Sequence, residues 1–425
     1  MKYCLACVNC GREYEPCEPI YLCPHCGMRE VDGICTFIGL LQVSYDMNAV
    51  SAKLNRHVLE SRRPGLWKYL ELLPVHDERM IVTLGEGGTP LIKSDALAEE
   101  LGLANLYLKN EILTPTGCFK DRENSIAVTK AKELGFNMVS CASTGSLAAS
   151  LASYSRRAKM RSFVFVPANT PPAKTIHMTI CGANVIAVKS IYEIALKMQI
   201  EACERYRWYN CSSGMNPFRI EGDKTIAFEI IEDLGWQSPE WVFVPTGGGG
   251  NLSGEWKGFN EFYQLGLISS LPRMVAVQMK AGASLTDAFL KAKEAVEPIP
   301  IGNSIGEALL SAYADYGSIA LNSLRDSDGR ALLVTDDEVL EAQKLLAMTE
   351  GIFAEPSSAA VIAGLKKMTD NHEIGKREKV ICIITGNGLK DLSTATKIAG
   401  KPSVITPSIE ELDMVIRSFG CTLRA

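Results

Sequence analysis

The segment Thr114-Pro115-Thr116-Gly117-Cys118-Phe119-Lys120-Asp121-Arg122 sets one lysine where it could serve as a covalent catalyst. It follows the apolar run Leu106-Tyr107-Leu108 and precedes Ser125-Ile126-Ala127-Val128, whose spacing suits a helix, so Lys120 falls at a strand-to-helix junction. An exposed lysine is a poor nucleophile at neutral pH. Apolar walls and the positive end of a helix dipole disfavour its ammonium form, and the free amine can then form a Schiff base with an aldehyde. The plain alternative is a solvated lysine in a helix's first turn, so other segments must decide.

Glycine supplies the second piece. The apolar strand Val242-Phe243-Val244-Pro245 runs into Thr246-Gly247-Gly248-Gly249-Gly250-Asn251 and then into a predicted helix over 252–263. Glycines leave backbone N–H groups free to wrap an anion, and the helix dipole adds a favourable field, so this reads as a phosphate cup rather than a flexible loop. It matches neither the dinucleotide-binding glycine pattern nor the Walker pattern. A further buried strand, Ile381-Cys382-Ile383-Ile384, opens into Thr385-Gly386-Asn387-Gly388, where Thr385 is placed to hydrogen-bond a ring nitrogen. After Met138-Val139-Ser140, the turn Ala142-Ser143-Thr144-Gly145-Ser146 offers hydroxyls and a helix N-terminus suited to a carboxylate.

In this order, the lysine turn, hydroxyl turn, tetraglycine cup and Thr-Gly-Asn-Gly turn resemble the pyridoxal-phosphate (PLP) enzymes of the tryptophan synthase β fold. The likeness narrows to threonine synthases and covers nearly the whole chain. Leu84-Gly85-Glu86-Gly87-Gly88-Thr89-Pro90-Leu91, Asn216-Pro217-Phe218-Arg219-Ile220-Glu221-Gly222 with Lys224-Thr225, and Glu350-Gly351-Ile352-Phe353 with Glu355-Pro356-Ser357-Ser358-Ala359-Ala360 are similar to motifs of that family. The resemblance implies PLP fold type II: two doubly wound, mostly parallel-sheet α/β domains with the cofactor between them. It implies that Lys120 is the Schiff-base lysine, that Gly247, Gly248, Gly249, Gly250 and Asn251 hold the cofactor phosphate, and that Thr385 partners the pyridine nitrogen. A neutral hydroxyl there limits full protonation of the ring. Ser146 falls where the family contacts the ring hydroxyl. Ser143, Thr144, Arg219 and Glu86 are the substrate-side candidates, Glu86 being an exposed loop residue by default. The implied reaction converts O-phospho-L-homoserine and water to L-threonine and phosphate, with Lys120 shuttling protons.

The chain also departs from the family pattern. Threonine synthases usually carry Asn-Thr where this chain has Ser146-Leu147, and often Asn-Ser where it has Ser213-Gly214. The lysine turn differs as well, with Thr114, Cys118 and Glu123-Asn124. A leucine donates no hydrogen bond, and a charged acceptor loses about 1.5–3 kcal/mol with each lost partner. Three readings follow. The first is a threonine synthase whose Arg219, Thr144 and Lys174 hold the substrate anions. The second is a paralogous PLP enzyme performing β-elimination or β-replacement on serine, phosphoserine or threonine, favoured by Leu147 and Gly214. The third is a silent homologue, opposed by the intact Lys120, glycine cup and Thr385. Cys118 reads as a small buried residue or as a redox-sensitive thiol.

A separate signal lies at the start. Cys7-Val8-Asn9-Cys10-Gly11 and Cys23-Pro24-His25-Cys26-Gly27 are two Cys-x-x-Cys knuckles, so Cys7, Cys10, Cys23 and Cys26 have the spacing to close around one tetrahedral Zn²⁺. Four protein ligands leave no open position, so the metal would be structural. Cys4, Cys17 and His25 are alternative ligands. The ribbon is too short for its own core and is expected to need the metal to fold.

The 425 residues, 47% hydrophobic, suffice for a large core and more than one domain. A net charge of −5 gives no support for nucleic-acid binding. No apolar run is long enough to span a membrane and the first residues are not a signal peptide, so the expected setting is cytoplasmic, with a small-molecule substrate and a homodimeric assembly. Strands such as Phe163-Val164-Phe165-Val166, Val185-Ile186-Ala187-Val188 and Met274-Val275-Ala276-Val277 alternate with amphipathic stretches, which argues for α/β units. The expected division is a zinc ribbon over 1–36, a large domain over 37–125 and 216–425, and a small mobile domain over 126–215. The segment 168–174, with two adjacent prolines, reads as a rigid loop, and Thr335 as the cap of a helix beginning Asp336-Asp337-Glu338.

Overall fold

Buried on both faces, the apolar runs of this chain can pair only where helices cover them, and they do so in two parallel sheets. The computed structural model describes residues 3–419. A six-stranded sheet has the order Arg330–Val334, Arg273–Met279, Trp241–Pro245, Lys379–Ile384, Asn105–Asn110, Leu91–Lys93, parallel except for the last pair. A four-stranded parallel sheet has the order Asn184–Val188, Arg161–Pro167, Met138–Ala142, Tyr209–Asn210. Each is the α/β pattern that the strand-and-helix alternation predicts.

The central strands of the large sheet, Trp241–Pro245 and Lys379–Ile384, end in the glycine turn and the Thr385 turn. In parallel sheets ligands bind at the carboxyl ends of strands, which is where the predicted site residues fall. The predicted helix after the glycines is present as Gly250–Gln264, and the capping box at Thr335 is formed with Glu338. Two boundaries differ from the sequence reading. The helix after the lysine turn begins at Lys120 itself and runs to Glu133. The 168–174 segment is not loop throughout, because Pro172 opens the helix Pro172–Ile180, as proline can at a first turn.

Near the start, Tyr3–Cys7 pairs antiparallel with both Glu13–Tyr14 and Leu41–Tyr45, and Met28–Val31 forms a hairpin with Ile34–Phe37. This ribbon does not stand alone. Leu5, Cys7, Cys23 and Phe37 join one apolar cluster with Phe218, Tyr313 and Tyr316 of the α/β body, and the Asn210 backbone N–H donates to Tyr21 Oη at 2.8 Å. The ribbon therefore shares its core with the α/β body.

Residues 392–419 form a second compact unit, containing the helices Leu392–Ala395 and Ile409–Ser418. Among the described residues no helix is long and apolar enough to cross a membrane.

Candidate active site

One cleft gathers most of the residues singled out above. Lys120, Ser143, Thr144, Ser146, Gly247, Gly248, Gly249, Gly250, Asn251 and Thr385 line it together, with Cys118, Leu147 and Ser213. The ends of three strands, at Ala142, Pro245 and Ile384, and the starts of three helices, at Lys120, Ser146 and Gly250, build this wall.

The lysine turn is locked from behind. Asp121 accepts from the Thr116 N–H at 2.7 Å, from Thr116 Oγ1 at 2.7 Å and from Ser150 Oγ at 2.6 Å. Thr114 Oγ1 donates to the Cys118 carbonyl at 2.8 Å, and the Phe119 N–H donates to the Thr385 carbonyl at 3.0 Å. Lys120 Nζ emerges half-buried from this frame and lies 2.6 Å from Glu123 Oε1. Burial, followed by the nearby Arg219 guanidinium, holds Lys120 down at about 8, against the opposing pull of Asp223 and Asp315. About a tenth is then free amine at pH 7, far more than for an ordinary lysine, and free amine is the form that reacts with an aldehyde. Burial pushes the Cys118 thiol up to about 11, so it stays protonated and behaves as a packed apolar group.

The glycine turn needs its glycines. Gly249 has φ 89°, and a Cβ on Gly247 would fall 2.6 Å from the Ala308 carbonyl oxygen. The turn ends at the N-terminus of Gly250–Gln264, which favours an anion. Asn251 is buried with both amide atoms lacking a protein partner, and Ser146 Oγ is likewise buried and unpartnered. Such groups are costly unless a ligand or water meets them. A cup of backbone N–H groups, two orphaned polar side chains and a lysine fit a phosphate-bearing aldehyde such as PLP. Thr385 Oγ1 faces the same cleft and lies 2.8 Å from Ser358 Oγ, which fixes its rotamer.

The substrate-side candidates are placed less uniformly. Ser143 Oγ accepts from the Gly145 and Ala148 N–H groups at 2.9 and 3.3 Å, closing the start of the helix Ser146–Arg157. Glu86 is not an exposed loop residue. It is 2% exposed and accepts from Trp67 Nε1 at 2.9 Å, Tyr154 Oη at 2.7 Å and Ser125 Oγ at 2.5 Å. That geometry makes it a junction of four segments rather than a cleft residue. Arg219 is also fully buried, behind the lining residues. Its Nη1 donates to Ser213 Oγ at 2.9 Å, and its Nη2 contacts Glu123 Oε2. Lys174 packs over Gly145 and pairs with Glu355 at 3.6 Å. Gly214 is dictated by packing: φ is 68°, and a Cβ would meet the Phe37 ring at 2.7 Å.

Two residues of the cleft, Asp315 and Tyr192, belong to no quoted motif. Asp315 lines it and accepts from Tyr192 Oη at 3.1 Å, and burial raises its carboxyl to about 7. Asp223, with both oxygens unpartnered, is likewise raised by burial to about 7 against the pull of Lys120 and Arg219. Glu355 and Ser357 complete the wall. Asp223 falls between Gly222 and Lys224, beside the quoted residues but not among them, whereas Asp315 and Tyr192 meet only through the fold.

At the ribbon, the sulfurs of Cys7, Cys10, Cys23 and Cys26 all lie within 4.8 Å of one another. The Cys7–Cys26 and Cys10–Cys23 sulfur separations are 3.9 and 3.8 Å. A tetrahedron with Zn–S bonds of about 2.3 Å has edges of about 3.8 Å. The donor set and spacing fit such an ion.

Residues 82–386 match the family model described as pyridoxal-phosphate dependent enzyme. The chain is 42% identical to a threonine synthase of Methanocaldococcus jannaschii, over 97% of this chain and 99% of that protein. It is 40% identical to a threonine synthase of Methanosarcina acetivorans, over 96% and 98%. Among solved structures, maize serine racemase superposes with a TM-score of 0.62 at 22% identity, covering 73% of this chain and 91% of the racemase. Diaminopropionate ammonia lyase from Escherichia coli superposes with a TM-score of 0.65 at 15% identity, covering 75% and 88%. The structural likenesses speak to fold. The sequence matches, spanning nearly the whole chain, establish that this protein belongs to the pyridoxal-phosphate dependent enzymes and, among them, to the threonine synthase family.

Proposed function

We propose that the protein is a PLP-dependent threonine synthase, a lyase converting O-phospho-L-homoserine and water to L-threonine and phosphate. The observation that carries this reading is the convergence of Lys120, the four-glycine turn and Thr385 on one cleft, in a chain so similar over its length to proteins bearing that name. Lys120 would bind the cofactor's aldehyde carbon. Gly247, Gly248, Gly249, Gly250 and Asn251 would hold its phosphate, Thr385 its ring nitrogen and Ser146 its ring hydroxyl. When bound, the cofactor supplies an electron sink for charge developing on the substrate's carbons. Lys120 Nζ, held at about 8, can take and return protons near neutral pH. Ser143 and Thr144, at the start of Ser146–Arg157, would receive the substrate carboxylate. Arg219 and Glu86 act from behind the wall, by fixing Ser213 and the segments around the lysine helix.

Cys7, Cys10, Cys23 and Cys26 would hold a structural Zn²⁺. The division into a ribbon over 1–36, a large domain over 37–125 and 216–425, and a small domain over 126–215 is part of this reading, as are a cytoplasmic setting and a homodimer.

A specific observation favours a second reading. Arg219 contacts Glu123, Lys174 pairs with Glu355, and Leu147 lines the cleft. A substrate phosphate would meet cations that already have carboxylate partners, which suits a paralogous enzyme acting by β-elimination or β-replacement on another amino acid. Protein supplied with PLP and O-phospho-L-homoserine, with phosphate and amino-acid products followed together by mass spectrometry, separates the two. Equal phosphate and threonine support the first. No turnover, with keto acid formed from serine, phosphoserine or threonine, supports the second.

A further inference from the structure

We propose that Glu123 is a positioning residue for the reacting lysine, its two carboxylate oxygens tying Lys120 and Arg219 into one unit. This inference rests on reading Lys120 as the cofactor-bearing lysine. Glu123 stands one helical turn beyond Lys120 on Lys120–Glu133, so its side chain reaches back over the same face. Oε1 lies 2.6 Å from Lys120 Nζ and Oε2 contacts Arg219 Nη2. The carboxylate is buried, at 2% exposure, so water does not compete for either oxygen.

The arrangement balances charge at the amine from every side that faces it. Arg219, from the residue preceding the helix Ile220–Asp233, disfavours a positive Lys120. Asp223 of that helix, Cys118 of the lysine turn and Asp315 of the cleft wall favour it. Glu123 is the carboxylate in direct contact, and among the described residues it alone touches both cations. It therefore sets where Nζ sits, how readily it holds a proton, and how far the Arg219 charge reaches toward the cleft. A proton leaving Nζ has an acceptor oxygen 2.6 Å away and can return from it.

The sign follows from electrostatics. Removing the Glu123 charge leaves only the more distant Asp223 and Asp315 to offset Arg219 at the nitrogen, so its protonated form becomes less stable and its midpoint falls. Removing the Arg219 charge does the reverse. The test is the pH titration of the visible absorbance of PLP bound to the holoenzyme, in wild type, Glu123→Gln, Glu123→Asp and Arg219→Gln. The expected midpoint falls by about one unit or more in Glu123→Gln, by less in Glu123→Asp, and rises in Arg219→Gln. A folded Glu123→Gln with the wild-type midpoint would overturn the proposal, as would equal shifts in the Gln and Asp variants, which mark a merely structural role. Should Glu123→Gln not fold, an unchanged midpoint in Arg219→Gln overturns it instead. Absence of any visible band in wild type would strike the cofactor reading alone. The pH profile of Lys120 labelling by an amine-reactive reagent, located by mass spectrometry, then reads the Glu123 pairing by itself, with the same signs.

Discussion

The two sides of the cleft are built by different means. On the side proposed for the cofactor the chain offers mainly backbone: four glycines and a helix N-terminus, with an Asn251 amide that has no protein partner. On the side proposed for the substrate it offers side chains that are already engaged, Arg219 with Glu123 and Lys174 with Glu355. A backbone cup is preorganised and specific for one kind of group, because its donors cannot turn away. Paired side chains hold their charges in reserve, and what they admit depends on which pairs open.

Four perturbations sharpen this contrast. The largest effect is expected at the hinge between the two sides. Lys120→Ala should lower turnover by at least about 10²–10⁴-fold, the range for loss of a positioned acid–base group, measured as phosphate release. On the cofactor side, Gly247→Val forces a Cβ to 2.6 Å from the Ala308 carbonyl. Overpacking of about 1–3 kcal/mol should weaken PLP binding about tenfold or more, by absorbance titration, with circular dichroism unchanged.

Elsewhere in the cleft wall, Asp315 carries a pH signature. Its pKa is raised to about 7 in the folded protein against 3.8 as the ordinary value. Between these values the folded state binds more protons than the unfolded state, so this group's contribution to stability falls as pH rises from about 4 to about 7. Asp315→Asn removes that penalty. The variant should gain stability relative to wild type at pH 8, by about 1 kcal/mol or more, and gain little at pH 4, by denaturant unfolding at both values. An equal gain at both would show that Asp315 is not buried as a strained acid.

The smallest effect lies far from both sides. Thr335→Ala breaks the capping box with Glu338 and should cost about 1 kcal/mol of stability while leaving turnover unchanged.

The same contrast explains what the sequence made legible. The glycine turn, the lysine turn and the Thr385 turn are each local, a strand followed within a few residues by the group that matters, so order along the chain sufficed to find them. The four cysteines were legible for the same reason, since metal geometry constrains spacing within each knuckle. Glu86 was misjudged as exposed because nothing near it in sequence announces Trp67, Ser125 and Tyr154, which the fold delivers from three other segments. Gly214 reads in sequence as a missing hydroxyl, yet the Phe37 ring from the ribbon leaves no room for a side chain there. Asp315 and Tyr192 meet across 123 residues of chain, and no periodicity or motif marks either. Side-chain networks that cross elements are written in the tertiary structure, and the departures seen along the chain acquire meaning only there.

The central claim is that Lys120 carries the cofactor, and covalent trapping tests it most directly. Holoenzyme reduced with borohydride, digested and mapped by mass spectrometry should show the phosphopyridoxyl mass on the peptide containing Lys120 and on no other lysine. A label on a different lysine, or none in protein that binds PLP, would contradict the account.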